Sequence, residues 1–103
     1  MDKNDAVKIA GQYATAINQR YDFLKIILFG SYAKGIPTDK SDIDIVIDSK
    51  GELLNIDFYG VLEEITTRLG KRVDLFEITE LKNNTVMQSL MEQEGIVLYD
   101  RQR

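Results

Sequence analysis

The chain contains no cysteine, no histidine and no tryptophan, and only one proline, Pro37. Without cysteine there is no disulfide framework, no thiolate metal site and no thiol nucleophile. Without histidine, the Ser-His-Asp and Cys-His mechanisms are excluded, together with the usual zinc sites. No run approaches the ~20 apolar residues of a membrane-spanning helix. The opening Met-Asp-Lys-Asn-Asp lacks the apolar stretch of a signal peptide, so a cytoplasmic, reducing compartment is expected. Positive charge is also scarce, with 13 Lys+Arg against 17 Asp+Glu and a net charge of -4. The basic clusters Lys71-Arg72 and Arg101 with Arg103 are too small to grip nucleic acid by counterion release, so no direct nucleic-acid binding is expected. Chemistry must therefore rest on carboxylates, hydroxyls, Lys, Arg and backbone.

What is present is ordinary for a globular protein: 103 residues, 44% hydrophobic and 29% charged. Two cores in this length would each be too small, so residues 1–103 are expected to form a single domain. Ala6, Ala10, Tyr13 and Ile17 recur at helical spacing and predict a helix from Lys3 to about Gln19, capped by Asp2. Phe23 to Phe29 is nearly all apolar and too short for a helix, which predicts a buried central strand. Tyr32-Ala33-Lys34 form a helical turn after Gly30-Ser31, and residues 35–41 a loop. Asp42 to Asp48 alternate by two and predict a strand with one buried face. Residues 49–55 read as a connection, Asp57 to Arg68 as a helix stopped by Gly70, and Arg72 to Ile78 as a strand. A helix over 80–94 and a short strand, Ile96 to Tyr99, complete the order. Such a series implies an α+β fold, a small mixed sheet with helices mainly on one face and the other face open for chemistry.

The informative stretch is Gly30-Ser31-Tyr32-Ala33-Lys34-Gly35, followed after six residues by Asp42-Ile43-Asp44. Residues two apart on a strand share a face, so Asp42 and Asp44 project together, opposite the isoleucines. Adjacent carboxylates repel, and a cation between them relieves the repulsion. With no softer ligand, that ion would be hard, Mg²⁺ or Mn²⁺, with positions left open for phosphate oxygens. Gly30 permits close approach of a phosphate, and the following N–H groups with the Ser31 hydroxyl can cradle it. Either element alone is common at strand ends; their occurrence at adjoining strand ends points to a site.

Gly-Ser, ten intervening residues and Asp-Ile-Asp resemble the signature of the DNA polymerase beta-like nucleotidyltransferase superfamily. The chain is most similar to its shortest members, the minimal nucleotidyltransferase (MNT) domain proteins, from about Phe23 to Tyr99. The resemblance implies that Asp42 and Asp44 bind two Mg²⁺ ions and that Gly30 and Ser31 hold a triphosphate. It also asks for a third carboxylate on a neighbouring strand, and Asp74 lies at that place, to complete the metal site and help deprotonate an attacking hydroxyl. Family members often carry arginine where this chain has Lys34, so Lys34 is a phosphate-contact candidate without the bidentate fork. The helical domain with which larger relatives hold an acceptor is missing here. The implied activity is transfer of AMP from ATP to a hydroxyl. The implied partner is a small helical HEPN-domain toxin whose tyrosine is the acceptor, with this chain as antitoxin. A catalytically silent antitoxin that acts by contact alone is the alternative, and a homo-oligomer is compatible with either.

Other polar residues read as structural. Asp48 is expected to be a solvated strand end, and Glu63, Glu64, Glu77 and Glu80 surface charges. Met87 and Met91 belong to the core side of the last helix, and Tyr13, Tyr59 and Tyr99 read as packing residues, with stacking on a base the alternative for one of them. Tyr32 is equally suited to packing and to contact with a ligand or partner.

Overall fold

The computed structural model describes residues 1–101; Arg103, half of the tail's basic pair, lies outside the described residues. Helix α1 (Lys3–Ile17) opens with a capping box in which Asp2 accepts from the Asp5 N–H at 2.9 Å. Strand β1 (Lys25–Phe29) runs directly into the short helix α2 (Gly30–Lys34), and β2 (Ile43–Asp48) returns antiparallel beside β1. Next come α3 (Glu52–Ile56), α4 (Phe58–Leu69) and β3 (Val73–Glu77), which pairs parallel with β2. A 3-10 turn at Ile78–Leu81 leads to α5 (Thr85–Glu94) and β4 (Ile96–Asp100), which pairs antiparallel with β1. The sheet order is β3-β2-β1-β4, the expected mixed sheet of an α+β fold.

The main core lies between the sheet and helices α1 and α4. Ala6, Ala10, Ala14 and Ile17 of α1 and Val61, Ile65 and Leu69 of α4 pack on Ile26, Leu28, Ile43, Ile45 and Ile47. The small residues of α1 let its backbone approach the sheet closely. The other face is less open than the sequence implied. Phe29, Val46 and Leu81 form a second cluster there, under Phe76, Ile78, Met87 and Met91. Helix α5 and the 3-10 turn thus cover part of this face, and Met87 and Met91 have the packing role expected of them.

Three other expectations are corrected. The supposed connection 49–55 contains most of α3, because Leu53 inserts into the core and its N–H donates to the Ser49 Oγ at 2.9 Å. The helix expected over 80–94 starts only at Thr85, since the Asn84 side chain accepts from the Met87 N–H and caps it there. Tyr59 is not a packing residue: it is 81% exposed, edge-on to Phe58.

Glu77 departs furthest from its expected place on the surface, being fully buried. Its carboxylate accepts from the Ser49 N–H at 2.8 Å, from the Ser49 hydroxyl and from the Thr79 N–H at 2.7 Å. Burial pushes its pKa up, but these hydrogen bonds outweigh burial and hold it below the usual carboxylate value. Glu64 is a surface charge as expected, and there it accepts from the Tyr13 hydroxyl at 2.9 Å and from the Arg20 guanidinium. Glu63 and Glu80 are exposed as expected.

Candidate active site

Strand β1 ends at Phe29 and the chain turns at once into α2. Gly30 makes that turn at φ 77°, in the left-handed region that glycine enters without strain. Space excludes a side chain as well: a Cβ built on Gly30 would run into the Asp44 carboxylate, with Cγ 3.1 Å away. The two residues meet because Phe29 is paired with Asp44 across the β1–β2 hairpin. Ser31 stands in the first turn of α2, where the N-cap is Phe29, whose side chain cannot accept from the N–H groups.

The parallel register sets Asp74 of β3 directly opposite Asp44 of β2. Asp42 lies two residues before Asp44, on the same face. The acidic end of this face continues into the apolar half formed by Val46, Phe29 and Phe76, so the carboxylates are partly shielded from water. Burial pushes the Asp44 pKa up to about 6, and the negative charges of Asp74 and Asp42 and a hydrogen bond shared with Asp74 push the same way. A carboxyl raised by burial and like charges marks a place short of positive charge.

The donors here are oxygen only, which suits a hard divalent cation and no softer metal. Among the described residues, however, no three such side chains are already gathered around an ion-sized space. Asp42 leans instead on Arg72, whose Nε lies 3.8 Å from its Oδ2. The carboxylates therefore fit a divalent cation in kind, while Asp42 is held by Arg72.

Lys34 does not point into this cluster. Its Nζ lies 3.3 Å from Glu94 Oε2 and ties α2 to α5. Tyr32 is buried, with the Lys71 ammonium 5.5 Å from its ring centroid, so packing is the role that the structure gives it. Asp48 sits at the far end of β2 and accepts from the Lys50 N–H at 3.3 Å, a strand-end role as expected. Arg72 is the neighbour that sequence reasoning missed. Adjacent basic residues at the start of a strand carry no signal of their own; only the parallel pairing, with the Ile43 N–H donating to the Arg72 carbonyl at 3.0 Å, brings Arg72 beside Asp42.

Known proteins are similar to this chain in sequence and in fold. A protein adenylyltransferase MntA of Thermococcus cleftensis is 32% identical over 76 residues, covering 74% of this chain and 77% of its own. The crystal structure of a mutant toxin-antitoxin MntA-HpeT superposes with a TM-score of 0.72 at 23% identity, covering 89% of this chain and 74% of the other, a likeness of fold. A toxin-antitoxin crystallised with AMP-PNP gives a TM-score of 0.69 at 25% identity, covering 99% of this chain and 76% of the other. The profile of the family described as "Polymerase beta, Nucleotidyltransferase" matches residues 12–103. With nine-tenths of its length so matched, and with Gly30 packed on Asp44 opposite Asp74, the chain belongs to the polymerase beta-type nucleotidyltransferases.

Proposed function

We propose that this protein transfers AMP from ATP to a hydroxyl of a partner protein, with Mg²⁺ bound by Asp42, Asp44 and Asp74. The observation that carries the reading is the carboxylate cluster itself, with Asp44 pushed up to about 6 by burial and by its two neighbours. A protein gains nothing in stability from such a cluster, whereas a phosphoryl-transfer site needs it. Divalent ions, when bound, offset the carboxylate charge and polarise the phosphates.

The chain's own residues do the rest. Gly30 gives the triphosphate close access to the backbone, and the Ser31 hydroxyl and N–H donate to phosphate oxygens. Asp74 accepts the proton of the acceptor O–H as the acceptor oxygen bonds to the α-phosphorus. The bond from that phosphorus to the oxygen bridging to the β-phosphate breaks, and pyrophosphate leaves with the electron pair. Lys34 contacts phosphate only by leaving Glu94.

The acceptor reading draws on the relatives. The Thermococcus cleftensis protein is named a protein adenylyltransferase, and two of the solved neighbours are toxin-antitoxin proteins, one with an ATP analogue. We infer that this chain is likewise an antitoxin, that its partner is a small helical HEPN-domain toxin, and that a tyrosine hydroxyl of the toxin receives AMP. Calorimetric titration of ATP with and without Mg²⁺ into wild-type and Asp44→Asn protein tests the site. Mg²⁺-dependent binding lost in the variant is the expected result. Absence of binding to the wild type would overturn the reading and favour neutralisation by contact alone.

A further inference from the structure

Strand β3 ends the sheet order, so among the described residues one of its sides faces no other strand. The Ile43 N–H donates to the Arg72 carbonyl, which fixes the alternation of the parallel ladder. Asp74 and Phe76 turn their amides towards β2, and Val73 and Leu75 turn theirs outward. An outward edge of this kind can pair with an extended chain. Against it lies a groove of about 380 Å³, walled by Phe58, Leu62 and Thr66 of α4 and floored by the strand from Arg72 to Phe76. Phe58 and Leu62 are only half-buried, although the main core lies just beneath them. Asp74 belongs both to the floor of this groove and to the carboxylate cluster.

We propose that this groove is where the acceptor enters: an extended segment of the partner protein pairs with the outer edge of β3. The inference rests on the transfer reading above and adds the track along which the acceptor reaches it. A strand added to an edge sends alternate side chains to opposite faces of the sheet. One residue therefore falls on the face of Asp74, and its neighbours on either side fall on the face of Phe58 and Leu62. The segment that fits has a hydroxyl-bearing residue, tyrosine for reach, flanked immediately on both sides by large apolar residues. Continuity with Asp74 is what selects an acceptor segment over other occupants. Arg72, the only cation lining the groove among the described residues, suits an acidic residue further along the same segment.

Two synthetic peptides of one composition test this, Lys-Ser-Leu-Tyr-Leu-Ser-Lys and Lys-Leu-Ser-Tyr-Ser-Leu-Lys. Only the first puts its leucines on the face opposite its tyrosine. AMP incorporation from ATP·Mg²⁺ into each is followed by mass spectrometry, with ATP binding measured in parallel. The first peptide is expected to be modified at least about tenfold faster than the second. Leu62→Asp should remove that preference while ATP·Mg²⁺ binds as before, and the peptide should slow hydrogen exchange at the Val73 and Leu75 amides. Equal rates, or transfer to neither peptide by protein that binds ATP·Mg²⁺, would overturn the edge proposal and leave the nucleotide site standing. A protein that binds no ATP·Mg²⁺ would overturn the transfer reading, and this inference with it. A dimer in sedimentation that Leu62→Asp dissolves would give the groove to a second copy and overturn the proposal as well.

Discussion

Strands β2 and β3 carry half-buried or buried carboxylates at two places, and the two are built on opposite terms. At one end Glu77, level with Ile47, is fully buried on the helix-covered face, and three donors hold it ionised. At the other end Asp44 and Asp74 lie level with each other on the opposite face, with Asp42 alongside, and burial and the charges of Asp74 and Asp42 raise the proton affinity of Asp44. Three positions along β3, from Asp74 to Glu77, separate a charge left for something else to answer from one that the fold has answered. Burial by itself therefore does not distinguish a structural carboxylate from a working one; the supply of donors does.

The contrast can be broken at either end. The largest effect is expected from Asp42→Asn or Asp44→Asn, which should lower AMP transfer by roughly a thousandfold or more in a steady-state assay, with unchanged circular dichroism. Glu77→Ala acts on stability instead. It strands the Ser49 and Thr79 donors in a buried cavity and should cost about 3 kcal/mol by urea unfolding. Glu77→Gln keeps two acceptor lone pairs and should cost less. Because the folded-state pKa of Glu77 is depressed, its contribution is complete above the unfolded value and is lost as pH falls through the folded one. The gap between wild type and Glu77→Gln should accordingly close in acid.

Asp44 has the opposite sign. Its folded pKa of about 6 exceeds the unfolded 3.8, so stability present below the unfolded value is lost as pH rises through about 6. In metal-free protein, Asp44→Asn should raise stability at pH 8 by about 1 kcal/mol, after allowance for solvent screening of a half-buried group. That gain should vanish near pH 4. The smallest effect is expected from Arg72→Ala, which removes a long, exposed ion pair with Asp42 and should leave the urea midpoint unmoved.

The parts of this arrangement that are local in sequence were legible there. The alternation over Asp42 to Asp48 predicted which face carries the aspartates, and the apolar run before Gly30 predicted the strand that places the glycine beside them. Asp74 was found only through the family resemblance, because nothing local says that β3 lies parallel to β2 in the register that sets it against Asp44. Glu77 was misread for the same reason. Its burial depends on Ser49 and on α3, which the sequence presented as a plain connection. Arg72 and the partial covering of the active face by α5 are likewise products of long-range pairing, to which periodicity is blind. Tyr59 was misread because adjacent aromatic residues on a helix cannot both face the core.

The parallel pairing of β2 with β3 also sets a timetable. The β1–β2 hairpin closes a short loop and brings Gly30 to Asp44 early, whereas Asp74 arrives only after the crossover through α3 and α4 has closed. During synthesis, then, the Gly30 turn can form against Asp44 while the third carboxylate is still inside the ribosome. The β1 edge that β4 will occupy stays open longer still. A nascent chain would acquire its carboxylates one hairpin and one crossover apart, and competence to transfer would trail the emergence of its first half.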